Sequence, residues 1–302
     1  MSALHLEART ALPLTEISAF ALRHGEAGTE LIAVADDDFG VLCVPLSDDG
    51  QLGESDRSDL WRKLPMDVVA SSDGSEFEGV ACDGEGRVLV LQEGPERVHV
   101  LSRSLDTLLH TIRLVVDPDD PDFGAEWRDD DNARGEGMLL LRDGHLLIAK
   151  QRKPIRLIEF GPPGAEPLGI SPDTLLPADA PYELPSRHEE AQFAVLASWR
   201  LADGEDEDAF ESINDLACDA DGRLFLLSSR KRRIACIEEA LRTDEKHARF
   251  ARVWDLPEGI PGDEDNRPEA LALPFEGAAL VGIDTKRPGD NVALVRGIAA
   301  SM

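Results

Sequence analysis

One hydrophobic pattern recurs along this chain. A polar residue opens a short apolar run at Thr15-Glu16-Ile17-Ser18-Ala19-Phe20-Ala21, Phe77-Glu78-Gly79-Val80-Ala81-Cys82-Asp83, Gly135-Glu136-Gly137-Met138-Leu139-Leu140, Ile213-Asn214-Asp215-Leu216-Ala217-Cys218-Asp219 and Pro268-Glu269-Ala270-Leu271-Ala272-Leu273. Eight residues after the polar position come Gly86, Gly144, Gly222 and Gly277, each preceded by an acid: Glu85, Asp143, Asp221 and Glu276. An acid–Gly pair between two apolar runs predicts a tight hairpin, because glycine adopts positive φ at low cost. In the first copy the turn is longer, residues 23–29, and holds Gly25 and Gly28. A second apolar run follows each turn, at 31–35, 88–91, 146–149, 224–227 and 279–283, and a third at 41–44, 98–101, 155–158, 234–237 and 292–295. A fourth strand is visible before the next copy at 108–114, 194–201 and 249–256.

Units of four short antiparallel strands, repeated five times, predict an all-β fold: a five-bladed β-propeller forming a single domain over residues 1–302. After Val295 there is no room for a fourth strand, whereas residues 4–14 precede the first copy. The ring is therefore expected to close through the N-terminal strand, with residues near 4–12 as the outer strand of the last blade, which removes an exposed sheet edge. A β-sandwich or two smaller β domains are the competing architectures, and neither explains five copies of one pattern. Residues 160–190 are the longest insertion and are Pro-rich, expected either as a lid or as a surface excursion.

In a propeller the first strand of each blade lines the central channel, so the repeated positions Glu16, Glu78, Glu136, Asn214 and Glu269 are expected to converge at its mouth. Carboxylates facing one another raise each other's pKa or demand a cation. An all-oxygen ring suits a hard divalent ion such as Ca²⁺ or Mg²⁺. A second ring follows from the same alignment, with Asp36, Glu93, Gln151, Ser229 and Asp284 at the start of the loops between second and third strands. These residues either complete a metal shell or cap strand ends. The same loops carry basic clusters, Lys150-Gln151-Arg152-Lys153, Arg230-Lys231-Arg232-Arg233 and Lys286-Arg287, suited to an anion beside the cation or to neutralising nearby acids. Acidic segments at 117–131, 203–211 and 255–265 lie between blades and are expected on the same face.

Composition narrows the function. Apolar residues at 42% suffice for a core, and aromatics at 5% leave the packing to Leu, Val, Ile and Ala. The net charge of −29 argues against nucleic acid or an anionic membrane as partner, since both need a positive surface. The first residues show no basic segment followed by an apolar one, and no apolar run approaches a membrane span. A cytoplasmic, monomeric protein is expected. Cys43, Cys82, Cys218 and Cys236 form no CxxC pair and read as core thiols of a reducing compartment. The chain holds no G-x-S-x-G elbow, Walker A, HExxH or G-x-G-x-x-G, and its seven histidines occupy no repeat position. A Ser-His-Asp hydrolase is not expected.

The segments FEGVACDGEGRVLVLQE, GEGMLLLRDGHLLIAKQRKP, SINDLACDADGRLFLLSS and PEALALPFEGAALVGIDTK resemble the SdiA-regulated and esterase-like phytase propeller families, whose blades carry E-G-hydrophobic-A followed by an acidic-Gly turn. The soluble calcium-activated nucleotidases are similar at a greater distance. The resemblance implies a propeller with a divalent cation bound by channel glutamates, and Asn214 departs from a uniform glutamate pattern. Two functions stand open. In one, a cation held by Glu16, Glu78, Glu136, Asn214 and Glu269 serves a hydrolase of a phosphoester or other small anionic ester. Glu93 or Asp284 would be its general base, and Lys150, Arg152, Arg230 and Lys286 would hold the anion. In the other, the ion is structural and the charged face of a non-catalytic propeller binds a protein or ligand.

Overall fold

The computed structural model describes residues 3–65, 69, 74–120, 124–128, 134–152, 154–185, 190–201, 210–238, 240–263, 265–287 and 289–298. The chain is nearly all β. After β1 (His5–Thr10), strands β2 (Ile17–Gly25), β3 (Gly28–Ala35), β4 (Gly40–Leu46) and β5 (Asp56–Asp59) pair antiparallel in sequence order. The second unit is β6 (Phe77–Cys82), β7 (Val88–Gln92), β8 (Arg97–Leu101) and β9 (Leu108–Val115). The short helix α1 (Gly124–Arg128) precedes the third, β10 (Glu136–Leu140), β11 (Leu146–Lys150), β12 (Arg156–Gly161) and β13 (Ala191–Leu201). These two units share an outer edge, where β9 and β13 pair in parallel from Ile112↔Ala191 to Val115↔Ala194.

The fourth unit is β14 (Asp215–Cys218), β15 (Leu224–Ser228), β16 (Arg233–Ile237) and β18 (Phe250–Asp255), while the two-residue β17 (His247–Ala248) pairs parallel with β13. The last sheet is β19 (Asn266–Ala272), β20 (Gly277–Thr285) and β21 (Val292–Ile298), with β1 added outside β21. The expected closure by the N-terminal strand is therefore observed, with His5↔Arg296 and Thr10↔Val292 in register. A buried amide locks it: Asn291 Oδ1 accepts Leu12 N–H at 2.8 Å, and Nδ2 donates to the carbonyls of Leu14 at 2.6 Å and Leu12 at 3.2 Å.

The first strands of successive units touch in a cycle, β2 to β6, β10, β14, β19 and back to β2. The core lies between consecutive sheets. Ile32 and Val34 pack against Val80 and Val88, Leu89 and Val98 against Ile148 and Ile158, and Leu147 and Trp199 against Leu226. Phe225 and Trp254 meet Val281, and Leu280 returns to Phe20 and Leu31. The middle strands β7, β11 and β15 are buried on both faces, which is why their sequences run continuously apolar rather than alternating.

The insertion between β12 and β13 covers the hairpin-turn end of the inner strands, opposite the repeated polar positions. Leu176 N–H donates to Leu140 O at 2.9 Å and Gly84 N–H to Ala180 O at 2.8 Å. Tyr182 N–H donates to Asp83 Oδ2 at 2.9 Å and its hydroxyl to Gly144 O at 2.7 Å. Its start is fixed by buried Glu159, which accepts from Leu168 and Gly169 N–H and lies 2.7 Å from His145 Nδ1. The segment is thus a pinned cover on the far end, not a lid over the acids, and His145 has a structural partner that the sequence did not indicate.

Candidate functional site: an acidic mouth

The inner strands reach the mouth through irregular pairing. The register breaks between Phe77 and Gly79 and between Pro268 and Ala270, so that Glu78 and Glu269 are themselves the extra residues of β-bulges. In β10 the break follows Glu136 at Gly137, whose φ is 66°, and in β2 it falls at Ser18, beside Glu16 with φ 50°. A bulge bends the strand and re-aims its side chain, which is how the first residue of an inner strand turns toward a common centre.

Among the described residues, seven carboxylates of the two aligned rings interact there, Glu16, Asp36, Glu78, Glu93, Glu136, Glu269 and Asp284, and Asp37 acts on Glu16 beside them. Burial is the largest cause pushing each pKa above its ordinary value, and mutual repulsion adds to it for all but Asp36. Glu78 is raised well above the usual range by burial and by Glu136, Asp36, Glu93 and Glu269. Glu136 behaves likewise, through burial and then Glu93, Glu269 and Asp36, with Arg152 opposing. Glu269 is pushed up to about 8, and Glu93 to about 7 against the backbone N–H of Arg134, which donates to Glu93 Oε1 at 2.6 Å. Asp284 and Glu16 are raised by burial first. Asp36 is raised by burial, with Glu78 and then Arg267 opposing the shift. Buried carboxylates that repel one another call for protons or a cation.

Two oxygens at this mouth, Gln151 Oε1 and Asp284 Oδ1, are buried with no hydrogen-bond donor. Gln151 spends its amide nitrogen on Glu136 Oε1 at 2.5 Å. Arg267, which the sequence reading missed, stands opposite Asp284 in the β19–β20 register. Its guanidinium lies 3.4 Å from Asp284 Oδ2 and 3.6 Å from Glu269 Oε1, and it also lowers the pKa of Asp36. The Asn-Arg-Pro just ahead of Glu269 was the available signal.

The sequence placed Asn214 in the ring, but its Oδ1 is already occupied, accepting from Ser229 N–H and Ser212 Oγ at 2.9 Å each. That amide closes the β14–β15 junction instead. Its neighbour Asp215 is the second residue missed. Fully buried, Asp215 accepts backbone N–H from Leu216 at 2.8 Å, Leu271 at 2.7 Å and Phe20 at 3.3 Å, tying β14, β19 and β2 across the axis.

The basic residues divide. Arg152 faces Glu136 and opposes its raised pKa. Lys286 is exposed at the rim, 3.7 Å from Asp265, and acts on Glu16 and Asp284. Lys150 is wholly buried and its ammonium donates to the Arg152 carbonyl. Arg230 is exposed on the β15–β16 turn, with no ion pair to the ring among the described residues. Its neighbours are used locally: Lys231 pairs with Glu211 and Arg233 with Asp255, each at 2.7 Å, and Arg232 donates to Pro257 and Ile260 carbonyls. Lys153, His188, most of 203–211 and parts of 117–131 lie outside the described residues. The four cysteines are free, and burial raises the thiol pKa of each, to about 11 for Cys218 and Cys236. No helix among the described residues is long and apolar enough to cross a membrane.

This architecture is similar to that of Myxococcus xanthus glutaminyl cyclase, with TM-score 0.53 and 15% identity over 97% of this chain and 96% of that one. A streptogramin B lyase shares it more loosely, at TM-score 0.45 and 12% identity over 97% of each chain. So does a gluconolactonase of Xanthomonas campestris, at TM-score 0.41 and 12% identity over 93% and 86%. The likeness to the first defines the class: a β-propeller. At such identity it defines the fold alone. No protein-family model and no curated protein sequence matches the chain.

Proposed function

We propose that the chain is a five-bladed propeller whose acidic mouth is a divalent-cation site serving hydrolysis of a phosphoester or other small anionic ester. The observation that carries this reading is the pair of buried oxygens without donors, Gln151 Oε1 and Asp284 Oδ1, beside a group of buried, mutually repelling carboxylates. Every side-chain donor in the group is oxygen, the chemistry a hard cation takes, and the choice of Ca²⁺ over Mg²⁺ follows from its tolerance of many irregular ligands. Among the described residues no group of three or more His, Cys, Asp or Glu side chains is spaced to hold a metal ion, so these acids must draw together to take one up. Burial and mutual repulsion favour the protonated acids, and Arg267 stands between Glu269 and Asp284, so taking up a cation requires releasing protons.

Glu78, Glu136 and Glu269 are the proposed ligands, with Asp36, Asp284 and Gln151 Oε1 beside them and Glu16 at the edge; Asn214 drops out because its oxygen is used. A bound divalent cation supplies Lewis-acid polarisation of an ester oxygen. Glu93, raised to about 7, is matched to accept a proton near neutral pH. Arg152, which acts on Glu136, and exposed Lys286 would hold the anion. The protein is proposed to work as a cytoplasmic monomer without nucleic-acid or membrane partners.

A second reading is favoured by Arg267, a resident cation between Glu269 and Asp284: the ring then pins the channel without chemistry and the charged face binds a ligand or protein. Nitrophenyl phosphate, a nucleoside triphosphate and a nitrophenyl ester, assayed with EDTA or with added Ca²⁺ or Mg²⁺, separate the two. The hydrolase reading expects metal-dependent turnover that falls roughly 100-fold or more in Glu93→Gln. Bound metal without turnover on any of the three would leave the second reading standing.

A further inference from the structure

The opposite end of the channel is chemically unlike the mouth. Beyond Asp215, the residues whose N–H groups it accepts, Phe20, Leu216 and Leu271, become walls of a cavity of about 660 Å³. Val80 and Met138 supply the walls from the other two inner strands. The insertion contributes Pro172 and the 175–178 run as one side, held by the Leu176–Leu140 hydrogen bond. None of the seven mouth carboxylates lines this space. It is a largely apolar funnel built on the inner strands, and its volume falls in the range that buries most of a drug-sized molecule.

The rim has a definite charge. Asp219, Asp221 and Glu276 line it against one guanidinium, Arg223, which is ion-paired at 2.7 Å to both Asp219 and Asp221, and one imidazole, His24, whose Nδ1 lies 3.1 Å from Thr29 Oγ1. The chain's net charge of −29 extends the same field. We infer that this cavity is a second binding site, for an amphiphilic cation: an apolar body in the funnel and a positively charged head at the acidic rim. Concavity excludes a flat protein face as occupant, and the rim's charge disfavours an apolar anion such as a fatty acid. The site does not depend on the cation at the other mouth.

The test uses the full chain and a neutral fluorescent probe of apolar sites, N-phenyl-1-naphthylamine, at submicellar detergent concentrations. Saturable enhancement near one probe per chain is expected, with displacement by dodecyltrimethylammonium at least 10-fold more effective than by dodecyl sulfate. Ala178→Trp, which fills the funnel from the insertion, is expected to weaken probe binding 10-fold or more. The surface pair Asp221→Lys and Glu276→Lys is expected to keep probe binding but abolish the preference for the cationic detergent. Melting curves of both variants establish that they fold. Enhancement that does not saturate or that survives Ala178→Trp would overturn the site, and equal displacement by both detergents would overturn its charge selectivity.

Discussion

Without divalent ions the protein is expected to lose stability as pH rises from about 5 to about 8, the reverse of a protein rich in ordinary salt-bridged carboxylates. Glu78, Glu136, Glu269 and Glu93 all have folded-state pKa values above those of the unfolded chain. Between the unfolded value near 4.5 and folded values of about 7 and about 8, the native state binds more protons than the unfolded one. Stability then falls with pH through that window. A group moved from 4.5 to about 8 corresponds to a loss on the order of 4 kcal/mol before relaxation, and the net charge of −29 pushes the same way. Urea midpoints in EDTA from pH 5 to 8 measure it, and Glu269→Gln should flatten the profile. Midpoints that rise over this range would mean that the acids are solvated or paired instead of repelling one another.

Replacing Asp215 by alanine is expected to cost roughly 3–6 kcal/mol, enough to unfold many domains. Three buried backbone donors on β2, β14 and β19 lose their acceptor together, each at about 1–3 kcal/mol when left unsatisfied. The inner strands have a bare edge toward the axis, and this carboxylate satisfies it where ladder hydrogen bonds cannot. Asp215→Asn should fall between, because one amide oxygen remains while the amide nitrogen faces another donor. Equilibrium denaturation of the two variants reads this directly. A change under about 1 kcal/mol for alanine would show that water or neighbouring groups serve those donors.

The propeller was legible because its signals are local and repeated. The acid–Gly turns fixed the hairpins, and the missing fourth strand after Val295 pointed to β1. Strand β5, with sequence Asp-Arg-Ser-Asp, has no hydrophobic period and was invisible, as was the parallel β9–β13 pairing, which joins residues about eighty positions apart. In the site, the glutamates were found by their period, but their bulges were not, since only Gly137 among them hints at special backbone. Asn214 looked equivalent to its counterparts by spacing, yet its amide geometry binds its own loop. Asp215 was an anomaly in plain view: an acid where the other units have Gly79, Gly137, Ala270 and Ile17. Arg267 was overlooked because its partner Asp284 lies across the hairpin, and a pairing register is needed to bring them together.

Calcium titration by calorimetry at pH 7, on protein stripped of metal and in two buffers of different ionisation enthalpy, tests the central claim most directly. One ion is expected to bind with release of protons, to raise the melting temperature, and to lose at least 10-fold in affinity in Glu136→Gln. Absence of heat, proton release and thermal shift at millimolar Ca²⁺ and Mg²⁺ would contradict it, leaving bound protons with Arg267, Arg152 and Lys286 to balance the ring.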